Sequence, residues 1–252
     1  MNTRDEIKGL WGAVSDLNWR LLAARASIIP STDPTQFAFL DTFADGAKYW
    51  AWKEFQTDAN RIVTENIGNT VISITGGTNA RLWNAINNAP KIVTGLPGWA
   101  CDVICKITGA TLNVGLYGGI FIGYNVSVAG QAYMLTFRRV KSGAGVEGLI
   151  VSDINAASAH YNNVAITTYP IWLRIRMTSD VRYGNNFSFH YSLDGIAWTA
   201  YESVPGTPLE LFDYGGVSTG WGAGLILSNE ATVNAGSMTF TMFRATRTFG
   251  PG

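Results

Sequence analysis

The chain has 252 residues with 18 basic and 18 acidic side chains, so its formal net charge is zero and no global field gathers nucleic acid or an anionic membrane. Charged residues make up only 14%, against 12% aromatics, 28 glycines and 9 tryptophans, a mixture that reads as short strands and tight turns around one large core. No run approaches the ~20 apolar residues of a membrane-spanning helix, and the opening MNTRDEIKGL carries acids where a signal peptide is apolar; neither nucleic-acid binding nor membrane insertion is expected, and folding is expected in a cytosol.

The first 30 residues differ from everything after them. TRDE is a capping box in which Thr3 caps and Glu6 reaches back, while Asp5 and Glu6 suit the positive end of the helix dipole. Ile7, Leu10, Val14, Leu17 and Leu21 then recur at alternating spacings of 3 and 4 until Pro30 stops the pattern. This predicts a helix over 1–30, either lying on its own domain or forming a short coiled-coil seam that assembles copies or docks the chain, although Gly9 and Gly12 each weaken it by about 1 kcal/mol relative to Ala. The stretch 31–36, STDPTQ, reads as a connector, and 37–252 as a β-sandwich.

Strands are predicted near 37–43, 48–55, 61–66, 70–75, 80–84, 99–108, 112–124, 131–140, 146–152, 163–168, 170–178, 186–193, 196–202, 223–228 and 236–246. In WACDVICKIT the alternation sets Cys101, Val103, Cys105 and Ile107 on one face and Asp102 and Lys106 on the other. Four residues along a strand is about 13 Å, too far for a disulfide, so two buried free thiols are expected. In PIWLRIRMT the same rule separates Ile171, Leu173, Ile175 and Met177 from Trp172, Arg174 and Arg176. FSFHYSL is followed by Asp194-Gly195, a dipeptide suited to a two-residue hairpin turn before IAWTAY.

The order of FLDTFAD…YWAWKEF (39–55), APKIVTGLPGWACDVICKI (89–107), GGIFIGYN (118–125), YMLTFRRV (133–140), PIWLRIRM (170–177), FSFHYSLDGIAWTAYESV (187–204) and AGLILSN…GSMTFTMFRAT (223–246) resembles the concanavalin A-like lectin/glucanase superfamily, particularly its laminin-G-like and glycosidase-associated domains. The resemblance implies a mostly β chain: a concanavalin A-like jelly-roll sandwich of two antiparallel sheets, here preceded by the short N-terminal α-helix. Its catalytic branches carry closely spaced acids on one strand, and retaining glycosidases need two carboxyl groups about 5–5.5 Å apart. No such set stands in this sequence: Asp102, Glu147 and Asp153 are isolated and Glu202 and Glu210 flank a proline-containing loop. With only His160 and His190, and no nucleophile elbow or phosphate loop, no catalytic residue is assigned. Laminin-G-like relatives often bind calcium, but Asp180, Asn185 and Asn186 lack the dense acid spacing of a calcium loop, so no cofactor is assigned and calcium stays a weaker option.

The chemistry left is a surface. Arg138, Trp172, Arg174, Arg176 and His190 come together if YMLTFRRV, PIWLRIRM and FSFHYSL are neighbouring strands, and planar guanidiniums beside an indole suit a glycan or an acidic protein surface. Trp221, in GVSTGWGAG, is a second candidate, either a contact residue or a plug at one end of the sandwich. A cytosolic start, no disulfide and a helix before a lectin-like sandwich together predict a non-enzymatic bacteriophage virion protein, whether capsid decoration, head fibre or tail-associated. Its expected partners are copies of itself (a trimer, by analogy with phage fibres), other virion proteins and host-surface glycan. The alternatives are a secreted, extracellular bacterial carbohydrate-binding module or a glycoside hydrolase.

Overall fold

The structure is a computed structural model describing residues 38–46, 52–55, 57–83, 86–87, 89–95, 100–124, 133–141, 147–153, 158–162, 166, 168–180, 184–204, 207–213, 222–229 and 234–247. The helix expected over 1–30, with Ile7, Leu10, Val14, Leu17 and Leu21, and the connector 31–36 lie outside these residues. Within them there is no helix. The strands are β1 (Ala38–Asp41), β2 (Lys53–Phe55), β3 (Arg61–Asn66), β4 (Asn69–Ile74), β5 (Leu82–Trp83), β6 (Ile86–Asn87), β7 (Lys91–Gly95), β8 (Cys101–Thr111), β9 (Leu116–Tyr124) and β10 (Tyr133–Lys141). They continue as β11 (Glu147–Asp153), β12 (Ser158–Asn162), β13 (Ile171–Asp180), β14 (Gly184–Ser192), β15 (Thr199–Ala200), β16 (Glu202–Val204), β17 (Thr207–Pro208), β18 (Glu210–Asp213), β19 (Gly222–Asn229) and β20 (Gly236–Arg247).

Two antiparallel sheets face each other. One has nine strands, in the order β15-β14-β13-β8-β20-β4-β3, with β1 beside β20 and β18 beside β14; the other has seven, in the order β12-β11-β10-β9-β19-β7-β2. The period-2 pattern of each strand decides which side chains meet between them. Cys101, Val103, Cys105 and Ile107 of β8, Ile171, Leu173, Ile175 and Met177 of β13, and Phe187 and Phe189 of β14 point inward from the nine-stranded sheet. They pack with Leu116, Ile120 and Ile122 of β9, Leu135 and Phe137 of β10, and Ala223, Leu225 and Leu227 of β19 from the other sheet. Each large apolar side chain so buried contributes roughly 1.5–3 kcal/mol relative to exposure.

Both cysteines are free and buried in this core. Burial pushes the Cys101 thiol up to about 12, helped by the neighbouring Asp102 charge, and pushes Cys105 higher still, so both stay protonated and unreactive. Where β1 joins, the ring of Trp52 lies 5.3 Å from Phe39 and 4.9 Å from Phe243, each edge-on. The Asp41 carboxylate anchors this corner, accepting hydrogen bonds from Trp52 Nε1 and from the Phe43 backbone N–H, each at 2.7 Å. At Gly224 of β19 a Cβ would run into the Ile92 carbonyl of β7, so the ladder between these strands needs a residue without a side chain.

Three local expectations change. β6, β7, β17 and β18 were not anticipated: in β7, KIVTG begins and ends with loop-like residues, and it is a strand because β19 and β2 pair with it on either side. The strand expected at 163–168 is displaced, since β11 takes Ser158–Asn162 as its partner; Ile166 instead fills the core, with its backbone N–H donating to the Glu147 carbonyl at 3.0 Å. The two-residue hairpin at Asp194-Gly195 is a wider loop, because the last pair across it is Tyr191 with Thr199. Asp194 organises that loop: its Oδ1 accepts from the backbone N–H of Ile196 and Ala197, each at 2.8 Å, and from Ser192 Oγ at 2.8 Å. These bonds hold the Asp194 carboxyl below the usual carboxylate range and replace the ladder bonds a tight turn would have kept.

Candidate functional site

The side chains that alternate away from the core form two outer faces with different chemistry. On the nine-stranded sheet, β14, β13, β8 and β20 lie side by side, and their register aligns three rows. One runs His190, Arg174, Ile104, Arg244; the next runs Ser188, Arg176, Asp102, Thr246; the third runs Ser192, Trp172, Lys106, Met242. The expected neighbourhood of Trp172, Arg174, Arg176 and His190 is therefore present, all four half-buried on one face.

Cations and indoles interleave here. Lys106 Nζ lies 4.9 Å from the Trp172 ring centroid, and the Arg174 guanidinium carbon lies 4.4 Å from the Trp198 ring. Arg176 makes a two-bond pair with Asp102, Nε to Oδ1 at 2.7 Å and Nη2 to Oδ2 at 2.8 Å. Burial lowers the Arg174 pKa, reinforced by Arg176 and Arg244, with Asp102 opposing. His190 is pushed down to about 4, first by burial and then by the Arg174 and Arg176 charges, so it is neutral at ordinary pH. The loop after β14 supports the site from below: Gly195 has φ 77°, and a Cβ there would lie 2.9 Å from the Trp172 indole.

Arg138 does not join this group. It lies on β10, in the other sheet, because β9 and β11 flank β10 while β13 lies between β14 and β8. Its side chain is 1% exposed on the outer face of the seven-stranded sheet. There Nη1 donates to Ser228 Oγ and Nη2 to Ser152 Oγ, each at 2.9 Å, with the guanidinium 5.1 Å from the Tyr117 ring. Thr136 and Lys91 are buried on the same face, and burial lowers the Lys91 ammonium to about 7. Among the described residues this face carries no carboxylate; Glu147 turns to the other side and pairs with Arg139. Trp221 lies outside the described residues.

Trp198, Lys106, Asp102 and Arg244 belong to this cluster and were not singled out. Alternation did mark Asp102 and Lys106 as outward-facing, and the missing information was that β13 and β20 flank β8. Trp198 escaped because a two-residue turn would have carried it along the strand, whereas the wider Asp194 loop brings it over Arg174. Among the described residues no three of His, Cys, Asp and Glu gather as metal ligands, so the calcium option acquires no site, and no two carboxylates stand opposite each other in a strand pair.

No protein-family model and no curated protein sequence matches the chain. Solved structures do share the fold. A GH43 protein from Bacillus licheniformis aligns with TM-score 0.61 at 15% identity, over 83% of this chain and 39% of its own. A functionally unknown protein from Saccharomyces cerevisiae aligns with TM-score 0.58 at 13% identity, over 79% of this chain and 98% of its own. A protein of the endo-acting O-glycanases with which human gut bacteria initiate mucin breakdown gives TM-score 0.51 at 11% identity, over 84% and 99%. The chain spans less than half the length of the GH43 proteins it matches. At such identities the likeness establishes a β-sandwich that occurs in carbohydrate-active proteins, and nothing finer. It overturns the expectation of a phage virion structural protein: the fold's counterparts are mainly glycoside hydrolases, and nothing in them supports a capsid, fibre or homotrimer. That expectation rested on a helix and a cytosolic start, features that say nothing about what a sandwich binds.

Proposed function

We propose that this chain is a glycan-binding β-sandwich of the concanavalin A-like type, an accessory module of carbohydrate breakdown rather than the bond-breaking unit. The observation that carries the reading is the interleaved stripe of Lys106, Trp172, Arg174 and Trp198 on the outer face of the nine-stranded sheet. Indoles give a sugar's C–H surface an apolar contact, and the guanidinium and ammonium groups beside them donate hydrogen bonds to its oxygens. The fold's recurrence as a minor part of longer hydrolases supports an accessory role. Among the described residues no two carboxylates face each other across a strand pair, the kind of arrangement that most glycoside hydrolases use.

A hydrolase is the second reading, favoured by one observation: the O-glycanase structure is matched over 99% of its own length, so a sandwich of this size is a whole unit there. One experiment separates the two. Calorimetric titration with a panel of soluble polysaccharides should show binding, weakened severalfold by Trp172→Ala or Trp198→Ala, without release of reducing ends over a day. Reducing ends whose release stops on substituting one carboxylate would establish the hydrolase instead, and no binding to any glycan would remove the module reading.

A further inference from the structure

The stripe is unbalanced in charge, and this limits the glycan it fits. Arg176 on β13 and Arg244 on β20 both bear on Arg174, and Asp102 is the one carboxylate among the charges felt by Arg174. That carboxylate already gives both oxygens to Arg176. Arg174 and Arg244 flank Ile104 in register, and Ile104 is 2% exposed although it points away from the core; aliphatic stems of neighbouring cations cover apolar residues in this way. Arg174 Nε, Arg244 Nε and His190 Nδ1 are all removed from solvent without a hydrogen-bond partner. Guanidiniums on either side of Ile104, with the one carboxylate that acts on Arg174 already bonded to Arg176, suit an incoming anion.

We infer that this face selects an acidic oligosaccharide, with Arg174 and Arg244 holding a uronate carboxylate or sulfate ester over Ile104 while Trp172 and Trp198 contact the sugar rings. The inference rests on the module reading and narrows it to anionic glycans. The planar carboxylate and the tetrahedral sulfate each present paired oxygens that a guanidinium fork meets with two hydrogen bonds. His190 stands in register with Arg174, and the charges facing it are Arg174 and Arg176 from β13 and Asp102 from β8. An anion bound beside Arg174 offsets the positive charges that keep this imidazole neutral.

The test is titration of the whole chain with oligogalacturonate, sulfated dextran oligosaccharide, neutral xylo-oligosaccharide and polyglutamate at two salt concentrations. Binding of one or both acidic glycans is expected, at least about tenfold tighter than the neutral one and weakening with salt; which acidic glycan binds distinguishes carboxylate from sulfate. Arg174→Gln with Arg244→Gln should abolish that preference, and Arg244→Lys should restore part of it. Should the double variant fail to fold, the unaltered protein still decides: the His190 ring resonances should titrate at higher pH with the acidic glycan than without it. Equal binding of neutral and acidic sugars, or an unmoved His190 titration with glycan bound, overturns the inference and leaves the module reading standing. Equal binding of polyglutamate overturns it in favour of an acidic protein partner, and binding to none of the probes removes both readings.

Discussion

The two outer faces of the sandwich treat the same residue type in opposite ways. On the seven-stranded sheet Arg138 is sealed in, its two terminal nitrogens given to Ser152 and Ser228 and its plane set near Tyr117. On the nine-stranded sheet Arg174 is half-exposed and rests against Trp198. The first arginine has both terminal nitrogens committed to serines of its own sheet and stiffens that sheet. The second is half-buried at the surface, where a ligand can reach its guanidinium.

Substitutions should separate the faces by which property they damage. Arg138→Ala should have the largest effect, costing about 3 kcal/mol by leaving a cavity and two buried hydroxyls without their partner; equilibrium urea denaturation measures it, and a loss under about 1 kcal/mol would mean the face is solvated after all. Gly195→Val should cost about 2 kcal/mol, since its backbone sits at φ 77° and the added Cβ meets the Trp172 indole. Because that indole belongs to the proposed glycan face, affinity should fall together with the thermal midpoint, whereas Arg138→Ala should spare affinity in the fraction that stays folded.

The smallest expected effect is a pH dependence. His190 takes a proton near 6.5 when unfolded but only near 4 when folded, so between those values protons favour the unfolded chain. Its contribution is therefore fully present above about pH 6.5 and is lost as pH falls toward 4. Partial exposure screens the effect, so the predicted result is a modest extra drop in thermal midpoint over that interval, absent in His190→Gln. An identical profile for the variant would place His190 outside the Arg174 field.

How much of this was legible beforehand varied with the range of the interaction. Ile171 to Met177 inward and Trp172 to Arg176 outward followed from a period of two residues, as did the unbonded, buried Cys101 and Cys105. Grouping Trp172, Arg174, Arg176 and His190 needed only the pairing of two strands adjacent in the chain. Placing Arg138 with them failed for the opposite reason: which sheet a strand joins is decided by partners up to a hundred residues away, and β10 carries no local mark of its sheet.

By itself, then, the sequence determined the class of the molecule and the two sides of nearly every strand, because backbone alternation and turn chemistry act between near neighbours. Tertiary structure alone decided that β8 lies between β13 and β20, bringing Asp102, Lys106 and Arg244 to the site, and that the Asp194 loop delivers Trp198 to Arg174. Those contacts join stretches that share no local pattern. They form because burying one continuous core between two sheets leaves the outward side chains wherever the packing order puts them.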